Sequence, residues 1–261
     1  MARVSGERPM NFAARADRMN AFIFDLDGVV TETQTLHMAA WKRMFDEYLR
    51  KRSGNVRFEP FEERDYREFV DGKPRYDGVR DFLASRRISL REGSEQDSPD
   101  EETVCGLGNR KNDYYLQLLN EKGAKVYETS IEFIRRVRDA GLKTAIISSS
   151  KNLPAILEST DTGSLFDARV DGNDLGRLKI PGKPDPSMFL EAARRLHVEP
   201  EHAAIVEDAI AGVEAGRRGG FGLVIGVARS QNASALKAHG ADVTVEDLGE
   251  LADEVQKARK V

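Results

Sequence analysis

Between residues 129 and 250, short continuous apolar runs alternate with segments whose apolar positions recur every three or four residues. The runs are KTAIISSS (143–150), AAIVEDA (203–209), GLVIGVA (222–228) and DVTV (242–245), and AFIFDLD (21–27) belongs to the same class. An unbroken apolar run suits a strand covered on both faces. Between the runs, SIEFIRRVRDAG (130–141), PSMFLEAARRLH (186–197) and IAGVEAGRRGG (210–220) carry the helical period. Strands alternating with helices predict βα units, hence an α/β fold: a Rossmann-like parallel sheet with helices on both faces.

Residues 34–125 have another pattern. TLHMAAWKRMFDEYLRKR (35–52), PFEERDYREFV (60–70), GVRDFLASRR (78–87) and NRKNDYYLQLLNEKG (109–123) are helix-patterned, with no convincing strand among them. The expected organisation is an N-terminal extension (1–20), an α/β core (21–33 and 126–261) and a small helical cap domain (34–125) inserted after the first strand. Within the insert, REGSEQDSPDEET (91–103) is acidic and rich in Ser, Gly and Pro, and is expected to be a solvated, mobile loop. GRRGGFG (216–222) comes after a helix and fits no nucleotide-binding spacing, so it is read as a helix end and turn.

Composition narrows the class of partner. The net charge of −4 over 261 residues gives no reason to expect nucleic acid or a membrane surface, so positive charge for an anionic ligand must be local. Cys105 is the sole cysteine, which excludes an intrachain disulfide and favours a reducing compartment. No stretch approaches the ~18 consecutive apolar residues of a membrane span. The first twenty residues carry Arg3, Arg8, Arg15 and Arg18 without an apolar block, which describes a short surface extension and not a secretory signal. A cytoplasmic protein is expected.

Open parallel sheets bind ligands at the carboxyl ends of their strands. The apolar runs end in Asp25 and Asp27, in Ser148, Ser149 and Ser150, and in Glu207 and Asp208, while Lys183 lies in the Pro/Gly loop IPGKPDPS (180–187). Alone, Asp-x-Asp-Gly also fits a turn or a helix entrance. Four carboxylates at one sheet edge would repel one another without a cation, and hard oxygen ligands select Mg²⁺. Lys183 and the metal would neutralise a phosphoryl group. Ser148 and the amides opening the helix after SSSKN (148–152) are donors where a helix dipole favours anions. One carboxylate can attack phosphorus, and a second, two residues away, can carry the proton.

These motifs, in order, resemble those of the haloacid dehalogenase superfamily of phosphotransferases: FDLDGVV (24–30), IISSS (146–150), GKPDP (182–186) and VEDA (206–209). The resemblance implies Asp25 as nucleophile and Asp27 as general acid/base. It implies Mg²⁺ held by the Asp25 side chain, the Asp27 backbone carbonyl, Glu207 and Asp208. DLDGVVTETQTLHMAAW (25–41), RKND (110–113) and SSSKN further resemble the β-phosphoglucomutase-like subfamily. That implies interconversion of β-D-glucose 1-phosphate and glucose 6-phosphate through glucose 1,6-bisphosphate, with the cap closing over the core.

By the same resemblance Thr33 lies on the linker, His37 assists Asp27, and Trp41 lies one turn beyond, where with Met38 it also fits a packing position. Arg75, in a loop shaped by Gly72, Pro74 and Gly78, and Lys111 match residues that grip the distal phosphate or the sugar. Ser150, Lys151 and Asn152 match core residues on the same substrate. A disaccharide phosphorylase is the implied metabolic source of the phosphosugar. The competing readings are a Mg²⁺-dependent phosphatase of small phosphate esters and a sugar-phosphate-binding protein without turnover.

Overall fold

The computed structural model describes residues 12–54, 57–229 and 233–258. The chain divides into two compact units, one formed by residues up to Val30 and from Val126, the other by Thr31–Lys125. A short helix α1 (Phe12–Ala16) leads into strand β1 (Ala21–Asp25). The chain then builds the helical unit from α2 (Gln34–Arg52), α3 (Glu63–Asp65, continuing as a π-helical turn over Tyr66–Val70), α4 (Arg75–Ser85) and α5 (Val104–Lys122).

Back in the first unit come α6 (Glu128–Asp139), β2 (Lys143–Ile147), α7 (Leu153–Ser159), β3 (Ala168–Val170), α8 (Gly172–Leu178) and α9 (Ser187–Leu196). Next are β4 (Ala203–Glu207), α10 (Ile210–Arg218), β5 (Leu223–Val227), α11 (Ala233–Ala238), β6 (Val243–Val245) and α12 (Ala252–Ala258). Among the described residues, no helix is long and apolar enough to cross a membrane.

The six strands are parallel, in the order β3-β2-β1-β4-β5-β6. Every residue of β1, β4 and β5 is buried, as a sheet covered on both faces requires. Alternate side chains of β1 go to opposite sides. Phe22 and Phe24 meet Phe133 of α6 edge-on, whereas Ile23 packs with Met188, Phe189 and Ala192 of α9. The strand order reverses between β1 and β4, which is where such sheets open a crevice at their carboxyl ends. Phe24 pairs with Val206, so Asp25 and Glu207 leave the sheet side by side.

The helical unit has its own core. Trp41, Met44, Phe45 and Tyr48 from α2 pack with Phe61, Val79, Phe82 and Leu107. Phe45 stacks on Trp41 and Phe61 at centroid distances of 5.3 and 5.2 Å. Three basic residues, Arg50, Lys51 and Arg52, close α2 where the helix dipole favours positive charge. Helix α5 opens on Thr103, whose hydroxyl accepts from the Gly106 amide at 2.8 Å, and stops at Gly123, whose φ of 71° few other residues tolerate.

Two segments differ from their sequence reading. Residues 91–103 are solvated, yet several of their backbone carbonyls are engaged by hydrogen bonds. The amides of Val104 and Cys105 donate to the carbonyls of Arg91 and Glu92, and the Asn109 side chain donates to the carbonyls of Glu95 and Asp97. Arg110 reaches the carbonyl of Pro99. Composition reports the solvated side chains and is blind to these backbone bonds. The N-terminal extension is likewise no mere surface appendage over its described part: Phe12, Ala16 and Met19 are buried, and Arg15 pairs with Asp242 at 2.9 Å. Residues 1–11 lie outside the described residues.

Candidate active site

Asp25 ends β1 and is buried, 5% exposed. Its Oδ2 accepts from the Asp27 amide at 2.9 Å, and its Oδ1 accepts from Lys183 Nζ at 2.5 Å. Lys183, 1% exposed, also donates to Oε1 of Glu207, which is itself fully buried. The other Glu207 oxygen accepts from the Ala209 amide at 2.9 Å. One ammonium therefore bridges two carboxylates from adjacent strands.

Burial of this kind governs protonation. Desolvation pushes the Asp25 carboxyl well above the ordinary carboxylate range, against the pull of Lys183, and Glu207 and Asp27 add to the push. Burial also works to strip the proton from Lys183, but Asp25 and Glu207 outweigh it and hold the ammonium charged.

A single ammonium cannot balance all the carboxylates gathered here. Asp25, Glu207 and Asp208 each offer an oxygen, and these atoms lie within 4.8 Å of one another. Two glycines make that convergence possible. Gly28 holds a φ of 84°, and a Cβ there would fall 1.8 Å from Asp208 Oδ2. A Cβ on Gly212 would fall 1.9 Å from Glu207 Oε1. An all-oxygen set with excess negative charge fits a hard divalent cation such as Mg²⁺. Asp25, Asp208 and Glu207, with the Asp27 carbonyl, would hold it, and it would supply charge neutralisation at a transferring phosphoryl group.

Asp27, half-buried, accepts at Oδ2 from the Ser148 hydroxyl at 3.1 Å. Ser148 Oγ in turn accepts from the Ser150 amide at 3.1 Å, and Ser150 Oγ from the Asn152 amide at 3.1 Å. This ladder carries the chain from β2 into α7, so Ser148 belongs with the acids. Ser149 lies beside it with its hydroxyl toward the sulfur of Met188, 3.9 Å away. Lys151 and Asn152 are half-buried at the entrance to α7, where the Lys151 carbonyl accepts from Asn173.

The remaining candidates fall in the helical unit. Lys111, 5% exposed on α5, approaches His37 Nδ1 to 2.6 Å and lies over the rings of Trp41 and Tyr115 at 4.8 and 5.2 Å. His37 stacks on Tyr115 at 3.9 Å. Lys111 Nζ and His37 Nδ1 are thus within hydrogen-bond distance, and the imidazole tautomer sets their donor and acceptor roles. Arg75, at the first turn of α4, donates to Asn112 Oδ1 at 2.8 Å, and burial draws its guanidinium below the ordinary arginine range. Thr33 is buried, its hydroxyl 2.6 Å from that of Thr31. Gly72 turns the chain between the π-helical turn and α4 with a φ of 70°.

Tyr115 and Gly212 escape sequence reading, and Gly28 and Asn112, which lie in FDLDGVV and RKND, show what they do only in the structure. A signal exists for the first: Tyr115 lies four residues past Lys111, as Trp41 lies four past His37, so each pair shares a helix face. The glycines announce themselves only through the carboxylates they admit.

Residues 19–220 match the family described as haloacid dehalogenase-like hydrolase. The chain belongs to that family and, within it, to the β-phosphoglucomutase-like enzymes. It is 47% identical over 241 residues to a β-phosphoglucomutase of Mycobacterium bovis, covering 90% of this chain and 92% of that one. A phosphorylated carbohydrates phosphatase of Thermotoga maritima is 29% identical over 82% of this chain and 88% of its own. The crystal structure of a β-phosphoglucomutase from Clostridium difficile, 24% identical, shares the fold with a TM-score of 0.73 over 92% of this chain and 96% of that one.

Proposed function

We propose that the protein is a phosphosugar mutase interconverting β-D-glucose 1-phosphate and glucose 6-phosphate. The observation that carries this reading is the pairing of a buried, Lys183-clamped Asp25 with a second carboxylate two residues on, in a chain 47% identical to a β-phosphoglucomutase over nine-tenths of its length. Asp25 attacks phosphorus through a carboxylate oxygen, the bond from phosphorus to the sugar oxygen breaks, and Asp27 gives that oxygen its proton. In the return step Asp27 takes a proton from the 6-hydroxyl of β-D-glucose 1-phosphate, whose oxygen displaces Asp25 from the phosphoryl group to give glucose 1,6-bisphosphate. Attack of Asp25 on the 1-phosphorus of that bisphosphate releases glucose 6-phosphate. Lys183 stays protonated and holds Asp25 in line. Mg²⁺ is the proposed cofactor, glucose 1,6-bisphosphate the intermediate, and a phosphorolytic enzyme acting on disaccharides the source of substrate.

The mutase and a phosphatase share an aspartyl phosphate and differ in whether sugar hydroxyl or water attacks it. A 10³-fold preference for sugar requires about 4 kcal/mol of differential transition-state stabilisation. Gripping the substrate at a second point supplies energy of that order through positioning. Lys111, Arg75 and the SSSKN segment are the groups assigned to that grip.

The test is phosphorus NMR of the protein with Mg²⁺, β-D-glucose 1-phosphate and a catalytic amount of glucose 1,6-bisphosphate. Glucose 6-phosphate is expected to form much faster than inorganic phosphate, and the α-anomer to react poorly. Phosphate released as fast as glucose 6-phosphate forms would establish the phosphatase instead. Absence of turnover on any phosphosugar would leave only a binding protein.

A further inference from the structure

Arg229 lies just beyond β5, and its guanidinium gathers the chain on both sides of the insert. Its Nε donates to the Gly28 carbonyl at 3.3 Å, on the segment leaving β1. Its Nη2 donates to the Ser130 hydroxyl at 2.9 Å, and that hydroxyl donates onward to the Val29 carbonyl at 2.7 Å. Its Nη1 pairs with Asp247 at 2.6 Å, and its plane lies 3.6 Å over the ring of Tyr127, whose amide donates to the Val30 carbonyl. Thus the carbonyls of residues 28, 29 and 30 are held in succession by one guanidinium and two residues it engages.

The held segment adjoins the acids. Asp27 precedes Gly28, whose α-carbon lies so close to Asp208 that a Cβ would collide with the carboxylate. Whatever fixes the Gly28 carbonyl fixes the plane of the next peptide and, through Gly28, the direction in which Asp27 leaves the sheet. A guanidinium presents its donors as a rigid, planar fork with fixed directions, whereas an ammonium is a compact point charge on a flexible stem.

We propose that Arg229 is a positioning residue that locks the 27–30 segment, and so holds Asp27 at the distance from Asp25 that proton transfer needs. The consequence for turnover rests on the phosphosugar mutase reading, whereas the consequence for backbone order does not. A displacement of about 1 Å at a reacting group costs about 10²-fold in rate. Losing Arg229 is therefore expected to lower kcat far more than it changes KM.

The experiment compares the unsubstituted protein with Arg229→Met, Arg229→Lys and Arg15→Met. Arg15 serves as control because it too makes an ion pair and a carbonyl contact in the α/β unit, to Asp242 and Gly222, away from the acids. Two readouts are taken: turnover of β-D-glucose 1-phosphate, and amide hydrogen exchange over residues 27–30 without substrate or metal. For Arg229→Met, kcat should fall about 10- to 100-fold with KM within about threefold, and the Val30 amide should exchange at least tenfold faster. Arg229→Lys keeps the charge beside Asp247 but not the fork, and should lose kcat by at least tenfold. It carries the test if the methionine variant does not fold. Arg15→Met should match the wild type in both readouts. Wild-type kcat in either Arg229 variant, or unchanged exchange at 27–30, overturns the proposal. A wild-type protein without turnover would overturn the mutase reading while leaving the exchange comparison to decide the clamp.

Discussion

The two units set their buried lysines against different neighbours. In the α/β unit Lys183 lies between the carboxylates of Asp25 and Glu207, an ammonium matched by opposite charge. In the helical unit Lys111 is almost as deeply buried, and its contacts include the rings of Trp41 and Tyr115 and Nδ1 of His37. A buried ion pair is costly to assemble and rigid once made, because breaking it leaves an uncompensated charge. That rigidity suits a nucleophile. Aromatic rings hold a cation through their faces, a softer and less directional contact than that of a carboxylate. Under the proposed function the α/β unit makes and breaks bonds and the helical unit grips the substrate.

The largest effect that tests the contrast is at Asp25. Asp25→Asn changes little volume and keeps one oxygen, so the fold should stand while turnover disappears and no phosphate becomes trapped on the protein. Measurable turnover, or trapped phosphate elsewhere, would remove Asp25 from its role. Asp27→Asn should retain the backbone carbonyl and the fold but lose proton transfer, lowering kcat by roughly 10²–10⁴-fold. A fall of less than tenfold would mean that another group handles the proton.

Much of this contrast is legible in the chain itself, and the limits have physical causes. β1, β2, β4 and β5 stand out because central parallel strands must be apolar on both faces, and the edge strand β6 because a valine flanks Thr244 on either side. β3 does not: it is three residues long at the sheet edge, with Arg169 exposed. Helix α8, GNDLGRL, has two glycines and little periodicity, and is held instead by Asp171, which accepts from the amides of Asn173 and Asp174. Asp25, Lys183 and Glu207 are visible as candidates because parallel strands put their ends on one edge. That one ammonium joins the two carboxylates is a fact of packing between residues far apart in the chain. Arg229 is one of many arginines until its acceptors are seen.

A smaller effect separates the units by substrate. Arg75→Ala removes the guanidinium held by Asn112 and leaves the acids of the α/β unit in place. If the helical unit grips and the α/β unit reacts, conversion of β-D-glucose 1-phosphate should drop at least tenfold. Hydrolysis of acetyl phosphate, which offers nothing to grip, should stay within about twofold. Equal losses on both substrates would mean that Arg75 supports the fold, and the division of labour would fail.

The smallest effect concerns acid, and it compares how the two units hold their surface charges. In the α/β unit Arg195 forks between Asp174 and Glu191, with Arg177 and Arg194 alongside. The Asp174 carboxyl, although burial raises it, is drawn down to about 2 by Arg195 and Arg177, and Glu191 is drawn to about 2 chiefly by Arg194. Both therefore sit below the ordinary carboxylate range near 4. A depressed carboxylate stabilises the fold in full above its unfolded pKa, and that stability is lost as pH falls through the folded value. The window is thus from about pH 4.5 down to about pH 2. Solvent screens these groups, so each contributes about 1 kcal/mol at most. In the helical unit, by contrast, pairs such as Lys51–Glu102 and Arg91–Glu101 are exposed and should add little to the pH dependence. Melting measured at pH 5 and pH 3 should show Arg195→Met losing less on acidification than the wild type, by about 2–4 °C, because part of the acid-sensitive stability is already gone. Arg91→Met should track the wild type. Parallel losses for all three proteins would show that the Asp174–Arg195–Glu191 cluster is no more than a solvated surface pairing like those of the helical unit.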